Sequence, residues 1–151
     1  MINGVKIKNL KIFADDRGIL TEVLKNGEET FAEIKQTTYT ESYPGVIKAF
    51  HWHKKQTDIW FVSSGMAQVI LYDLREDSPT RKETNIFYVG DKNPMLILIP
   101  SGVAHGYKVL GTKPVRLFYH TTEAYNSENP DEERIPFDDP EINFNWNTHN
   151  R

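Results

Sequence analysis

The sequence predicts an all-β fold of the sandwich or barrel kind, and three observations predict it. Short runs rich in β-branched and aromatic residues recur, turn-forming residues separate them, and no segment sustains an uninterrupted helical pattern. The runs are IWFV at 59–62, AQVILYDL at 67–74, NIFYVG at 85–90, MLILIP at 95–100 and VRLFYHTT at 115–122. Between them lie REDSPT, GDKNP, PSG and LGTKP, whose Gly, Pro, Asp and Asn residues tighten turns. The one helix-like stretch, LTEVLKNGEETFAEIK, is broken by Asn26-Gly27. That dipeptide suits a tight hairpin turn, so the stretch is read as two strands joined by a loop.

A chain of 151 residues can bury one core, and one domain over 1–151 is expected. Its last part, NSENPDEERIPFDDPEINFNWNTHNR, from about residue 126, is acidic and punctuated by proline. It also carries Phe137, Ile142, Phe144 and Trp146, apolar groups that favour a short arm folded over the domain. Cysteine is absent, which excludes disulfides, thiolate metal sites and a cysteine nucleophile. The N-terminus alternates lysine with apolar residues instead of forming a signal-peptide core, and no later run is long enough to span a bilayer. A soluble, cytoplasmic protein without a membrane partner is expected. A formal net charge of -3 disfavours a nucleic-acid partner, whereas a small phosphorylated ligand needs only a local cluster of cations.

The chemistry concentrates in GVIKAFHWHKKQTDIWFVSSG. Residues two apart on a strand face the same way, so His51 and His53 project together. Downstream, PSGVAHGY places His105 just after a tight turn at the start of another strand, from which it can return toward the pair. One histidine is unremarkable; three so placed point to metal ligation or proton transfer. His120 and His149 lack such a context and are read as surface residues.

The spacing from Gly45 through His51-x-His53 and Asp58 to Gly65, followed by Pro100-x-Gly102-x-x-His105, resembles the two motifs of the cupin superfamily. That resemblance implies a cupin-type jelly roll, a double-stranded β-helix. The frame departs from the usual metal-binding pattern: Asp58 stands where Glu is common, and Pro94 and Val109 replace the bounding Gly and Asn.

A narrower resemblance runs along almost the whole chain. FADDRG, GVIKAFH, LYDLREDSPT, IPSGVAHGY, FYHTTEAY and DDPEINFNW occur in the order found in the dTDP-4-dehydrorhamnose 3,5-epimerase family of sugar-nucleotide enzymes. The resemblance implies a nucleotide-sugar substrate, with His51 as general base and Tyr125 as the acid on the opposite face. It implies that Arg17 and Lys48 hold the diphosphate, that Gln36 lies near the nucleotide, and that His53 and His105 belong to the substrate pocket. It also implies a homodimer sharing an N-terminal strand, for which KIKNLKIF has a suitable alternation. A ketone at C4 acidifies the protons on C3 and C5, so an imidazole can remove one and a phenol can return one. No cofactor is then expected.

Several positions depart from this pattern. Asp58 occupies a usual Lys position, and the family's carboxylate partner for the catalytic His lies in a C-terminal stretch that has no counterpart after Trp146. Asp58 or Asp73 is the candidate to replace it. His53 sits where Gln is usual, and the resulting HWHKK resembles the related sugar-nucleotide 3,4-ketoisomerases. The alternatives are therefore a ketoisomerase, a metal-binding cupin holding one divalent transition metal through His51, His53, Asp58 and His105, and a carbohydrate-binding module without activity.

Overall fold

A computed structural model describes residues 1–148. Twelve strands account for the regular structure: β1 Lys6–Asn9, β2 Phe13–Asp15, β3 Gly18–Leu20, β4 Gln36–Ser42, β5 Ile47–Trp52, β6 Asp58–Ser64, β7 Met66–Asp73, β8 Thr84–Gly90, β9 Met95–Ile99, β10 Val103–Leu110, β11 Val115–Thr121 and β12 Glu133–Arg134. They form two five-stranded sheets, ordered β1-β9-β6-β11-β4 and β12-β5-β10-β7-β8, and a separate β2-β3 hairpin. The fold is the all-β jelly roll that the alternation of apolar runs and turns predicts. No helix among the described residues is long and apolar enough to cross a membrane.

Strand period explains where the core lies. On β7, Val69 and Leu71 face the interior between the sheets, joining Trp60, Val62, Ile97, Val103, Tyr107 and Leu117. Ile70 and Tyr72 point the other way, into a second cluster with Phe50, Ala104, Ile142 and Trp146. The second sheet is therefore buried on both faces, which is why AQVILYDL reads as a nearly continuous apolar run. Its outer cover is the C-terminal segment, anchored by Phe50, which is fully buried. Burying a side chain of this size contributes on the order of 2–3 kcal/mol.

Two expectations are revised. The stretch from 21 to 35 forms no strand. It folds as a loop with turns closed by Glu28 N–H to Lys25 O and Phe31 N–H to Glu28 O. Val23, Leu24 and Ala32 pack from it onto Leu10, Ile59 and Leu96, so tertiary burial replaces the hairpin favoured by Asn26-Gly27. Phe137 stays 49% exposed while Ile142 and Trp146 are buried, because the turn at 137 offers its carbonyl to the Trp146 indole N–H and turns its ring outward. The KIKN segment forms β1, which pairs with β9 from Lys6↔Leu98 to Asn9↔Met95 and lies at the edge of its sheet.

Two glycines permit close approaches, the first of them beside the functional region. A Cβ on Gly106 would meet Ala49 Cβ at 2.4 Å and Lys48 O at 2.8 Å, so a side chain here would push β10 away from β5. Gly65 closes the β6-β7 turn at φ +76°, and a Cβ there would lie 2.3 Å from Pro114 O.

Candidate active site

At one end of the sandwich the two sheets separate around a cavity of about 900 Å3. That lies near the upper end of ligand pockets, about 300–1,000 Å3, and suits a ligand of nucleotide-sugar size. One wall is the second sheet, with Lys48 and His51 from β5, His53 just beyond it, and His105 and Tyr107 from β10. The other is the first sheet, with Gln36, Thr38 and Thr40 from β4, Asp58 and Trp60 from β6, and Leu117, Tyr119 and Thr121 from β11. Residues 124–126 and 129–134 complete the rim.

Sheet register assembles the histidines. His51 and His105 are direct partners in the β5-β10 ladder, so their side chains share a face although they stand on different strands. The environments of the three rings differ sharply. His51 remains about a third exposed, and its Nδ1 lies 3.4 Å from Glu132 Oε1, leaving Nε2 for the cavity. His53 and His105 are buried. The His53 Nδ1–H donates to Asp131 O, and the His105 Nδ1–H donates to Val103 O at 3.0 Å. Burial pushes His105 well below the ordinary imidazole range despite the attraction of Asp58, so it is neutral at pH 7.

The Nε2 atoms of both buried rings lie beside Asp58, each 3.7 Å from one of its oxygens. His53, Asp58 and His105 are the residues that could hold a metal: their ligand atoms lie within 4.8 Å of one another, and backbone carbonyls fix both rings from behind, as around many metal-bound imidazoles. His51 is not part of that set. The Asp58 carboxylate also has partners of its own, accepting from Gln56 Nε2 at 2.7 Å and Trp60 Nε1 at 3.0 Å.

Not every residue singled out in the sequence meets the cavity. Arg17 sits on the β2-β3 turn, bound to Asp15 at 2.5 Å, in a separate shallow depression. The cations bordering the cavity are Lys48, Lys54, Lys55 and Arg134. Lys54 and Arg134 pair with Glu133 and Glu132, while among the described residues Lys48 and Lys55 have no carboxylate partner. Gln36 lines the wall, but its amide is engaged internally, donating to Thr38 Oγ1 and accepting the Tyr125 N–H at 2.8 Å.

Tyr125 lies beyond the end of β11 on the rim and is 66% exposed. Of the phenols on the cavity walls, Tyr107 is bonded through its hydroxyl to Ser42 Oγ at 2.8 Å, and the other is Tyr119. On β11 it shares the inward face with Leu117 and Thr121 and packs against the main core. The sequence reading missed it: FYHTTEAY contains two tyrosines six residues apart, and what separates them is the end of the strand, since Tyr119 lies within β11, which stops at Thr121, whereas Tyr125 lies beyond it.

The carboxylate beside His51 is neither Asp58 nor Asp73. Asp58 serves the buried pair, and Asp73 is buried elsewhere, bound to Arg75, Ser78 and Thr80. Arg75, Ser78 and Thr80 outweigh burial and hold the Asp73 carboxyl well below its usual range. The neighbour of His51 is Glu132, which the sequence passed over as one acid among many in DEER. His120 lies on the β11 strand against Thr37, away from this wall, and His149 lies outside the described residues.

Fold and site together define a jelly-roll enzyme built for acid-base chemistry in a polar cavity between two sheets. A profile of the dTDP-4-dehydrorhamnose 3,5-epimerase family matches residues 1–151. The chain is 56% identical to the spore coat polysaccharide biosynthesis protein SpsL of Bacillus subtilis, covering 98% of both. It is 40% identical to the probable low-salt glycan biosynthesis epimerase Agl13 of Haloferax volcanii, covering 97% of this chain and 95% of that protein. Among solved structures, the dTDP-4-dehydrorhamnose 3,5-epimerase of Bacillus anthracis, with TDP and PPi bound, superposes with a TM-score of 0.85 at 26% identity, over 99% of this chain and 90% of the other. The chain belongs to the dTDP-4-dehydrorhamnose 3,5-epimerase family and is a sugar-nucleotide epimerase. These relatives favour epimerisation over the ketoisomerase alternative suggested by HWHKK.

Proposed function

We propose that the enzyme works in the cytoplasm, as a homodimer and without a cofactor, inverting one or more centres beside the ketone of a dTDP-linked 4-keto-6-deoxyhexose. Inversion removes a proton from one face of the sugar and returns one to the other. The observation that carries this reading is the placement of His51 on one sheet and Tyr119 on the facing sheet, across a single cavity. His51 acts as base through Nε2, and Tyr119 acts as the opposing acid in preference to Tyr125. Lys48 and Lys55 supply positive charge for the diphosphate, and His53 and His105 line the sugar end.

A metal-dependent reading draws on the His53-Asp58-His105 set. The cofactor-free reading is preferred because Gln56 and Trp60 already satisfy Asp58 and the base stands outside that set. The test is incubation of the enzyme with a dTDP-4-keto-6-deoxyhexose in deuterated water. Deuterium should enter at C3, C5 or both, at a rate unaffected by prior treatment with EDTA. No incorporation ends the epimerase reading for this sugar, and a rate abolished by EDTA and restored by a divalent metal ends the cofactor-free one.

The homodimer rests on a different observation. Phe13, Ile19 and Leu20 are 46%, 71% and 61% exposed on the β2-β3 hairpin, which pairs with neither main sheet. Three large apolar side chains on so small a hairpin favour cover by a second copy. That arrangement is also the route by which Arg17 would meet a diphosphate. Light scattering at micromolar concentration should give twice the chain mass, and Ile19→Asp should shift it to the monomer. A parent protein that is already monomeric refutes the pairing.

A further inference from the structure

We infer that Glu132 is the positioning residue for His51, and that the segment from 131 to 135 is a clamp that holds it there. The inference deepens the reading of His51 as the base. Glu132 comes from the arm after β11, upstream of the DDPEINFNW segment, so the chain supplies the carboxylate from a different place in its sequence than the one the resemblance led us to expect.

The arm is tied to β5 on both sides of Glu132. Before it, the Asp131 carboxylate accepts the backbone N–H groups of Lys54, Lys55 and Gln56, each at 2.9 Å. These bonds outweigh burial and keep Asp131 below the usual carboxylate range. After it, Glu133 and Arg134 pair with Trp52 and His51, and Ile135 exchanges backbone hydrogen bonds with Phe50 at 2.8 and 3.0 Å. Arg134 is the direct ladder partner of His51, and Glu132, just before β12, reaches the same ring, its Oε1 lying 3.4 Å from His51 Nδ1.

The charges suit the role. The Arg134 guanidinium lies 2.8 Å from Glu132 Oε1, the same oxygen that faces His51 Nδ1. Burial tends to raise Glu132, but the Arg134 hydrogen bond and the nearby His51 more than offset it, and the carboxyl titrates below its usual range. An ionised Glu132 selects the tautomer with hydrogen on Nδ1, leaves the Nε2 lone pair in the cavity, and stabilises the imidazolium formed when Nε2 takes a proton. The other titratable or charged groups on this side are Asp131, Glu133 and Arg134 from the arm, His105 and Tyr107 from β10, and Lys48, His53, Lys54 and Lys55 along and just after β5.

The test is Glu132→Gln, which keeps the shape, removes the charge and offers an amide donor to Nδ1. Imidazole nitrogen NMR of the free enzyme should show His51 hydrogen on Nδ1 in the parent and on Nε2 in the variant. Exchange into the substrate should fall about a hundredfold or more, mainly in kcat, and the apparent pKa of the base limb should drop. Glu132→Asp should recover part of the rate, and it is the variant to read if Glu132→Gln fails to fold. An unchanged tautomer with a parent-like pH profile overturns the inference. Failure of the base reading would look different: His51→Ala would keep the exchange whatever Glu132 does.

Discussion

His51→Ala should abolish deuterium exchange into a dTDP-4-keto-6-deoxyhexose, lowering the rate about a thousandfold or more, within the range of about 10^2–10^4 that a positioned base supplies. The effect should be this large because no neighbour can substitute. His105 is neutral and carries a free Nε2 lone pair, but it is buried against Asp58 and Trp60. The Nε2 of His53 accepts from Gln56 at 3.2 Å. Only His51 combines partial exposure, a carboxylate behind Nδ1 and an Nε2 directed to the cavity. Binding should persist in the variant, because the cations at the rim are untouched; a dTDP titration by calorimetry separates a lost base from a lost fold. Exchange at the parent rate would place the base elsewhere, with His53 the next candidate.

Tyr119→Phe should separate the two halves of the reaction. Removing one hydroxyl leaves proton abstraction by His51 intact, so exchange at one carbon continues while completed inversion falls about a hundredfold or more. Tyr125→Phe should have the smaller effect, because that ring is 66% exposed on the rim and its backbone N–H, not its phenol, ties it to Gln36. Product analysis by NMR in deuterated water reads both quantities in one experiment: deuterium in recovered substrate reports abstraction, and the new stereoisomer reports return from the opposite face. If Tyr125→Phe blocks inversion while Tyr119→Phe does not, the rim loop must close over the sugar and the acid is Tyr125.

The residues that were easy to find in the sequence share a property with the strands themselves. IWFV, AQVILYDL and VRLFYHTT announce strands because period-2 patterning is a local consequence of the pleated backbone. His51 and His53 could be singled out because they stand two apart, and His105 because it follows the turn at Pro100-Ser101-Gly102, again local signals. Asp58 was noticed too, but its work was not legible: its partners Gln56 and Trp60 lie two residues away on either side, and only the fold shows that all three close around His53 and His105. Glu132 had no local signature. Its contact with His51 depends on the arm crossing β5, and nothing in DEER distinguishes one acid from the next.

By itself, then, the sequence determined the all-β class, the jelly-roll order of runs and turns, the histidines around which chemistry could be built, and the family pattern in which they sit. Only the tertiary structure decided that Tyr119 stands on the wall facing His51 while Tyr125 lies on the rim, which carboxylate stands behind His51, and that Arg17 stays outside the cavity of its own chain. The reason is physical. Strand period and turn chemistry act over a few residues, whereas a catalytic pair is set by the register between strands and by the path of a covering segment, both of which depend on packing across the whole core.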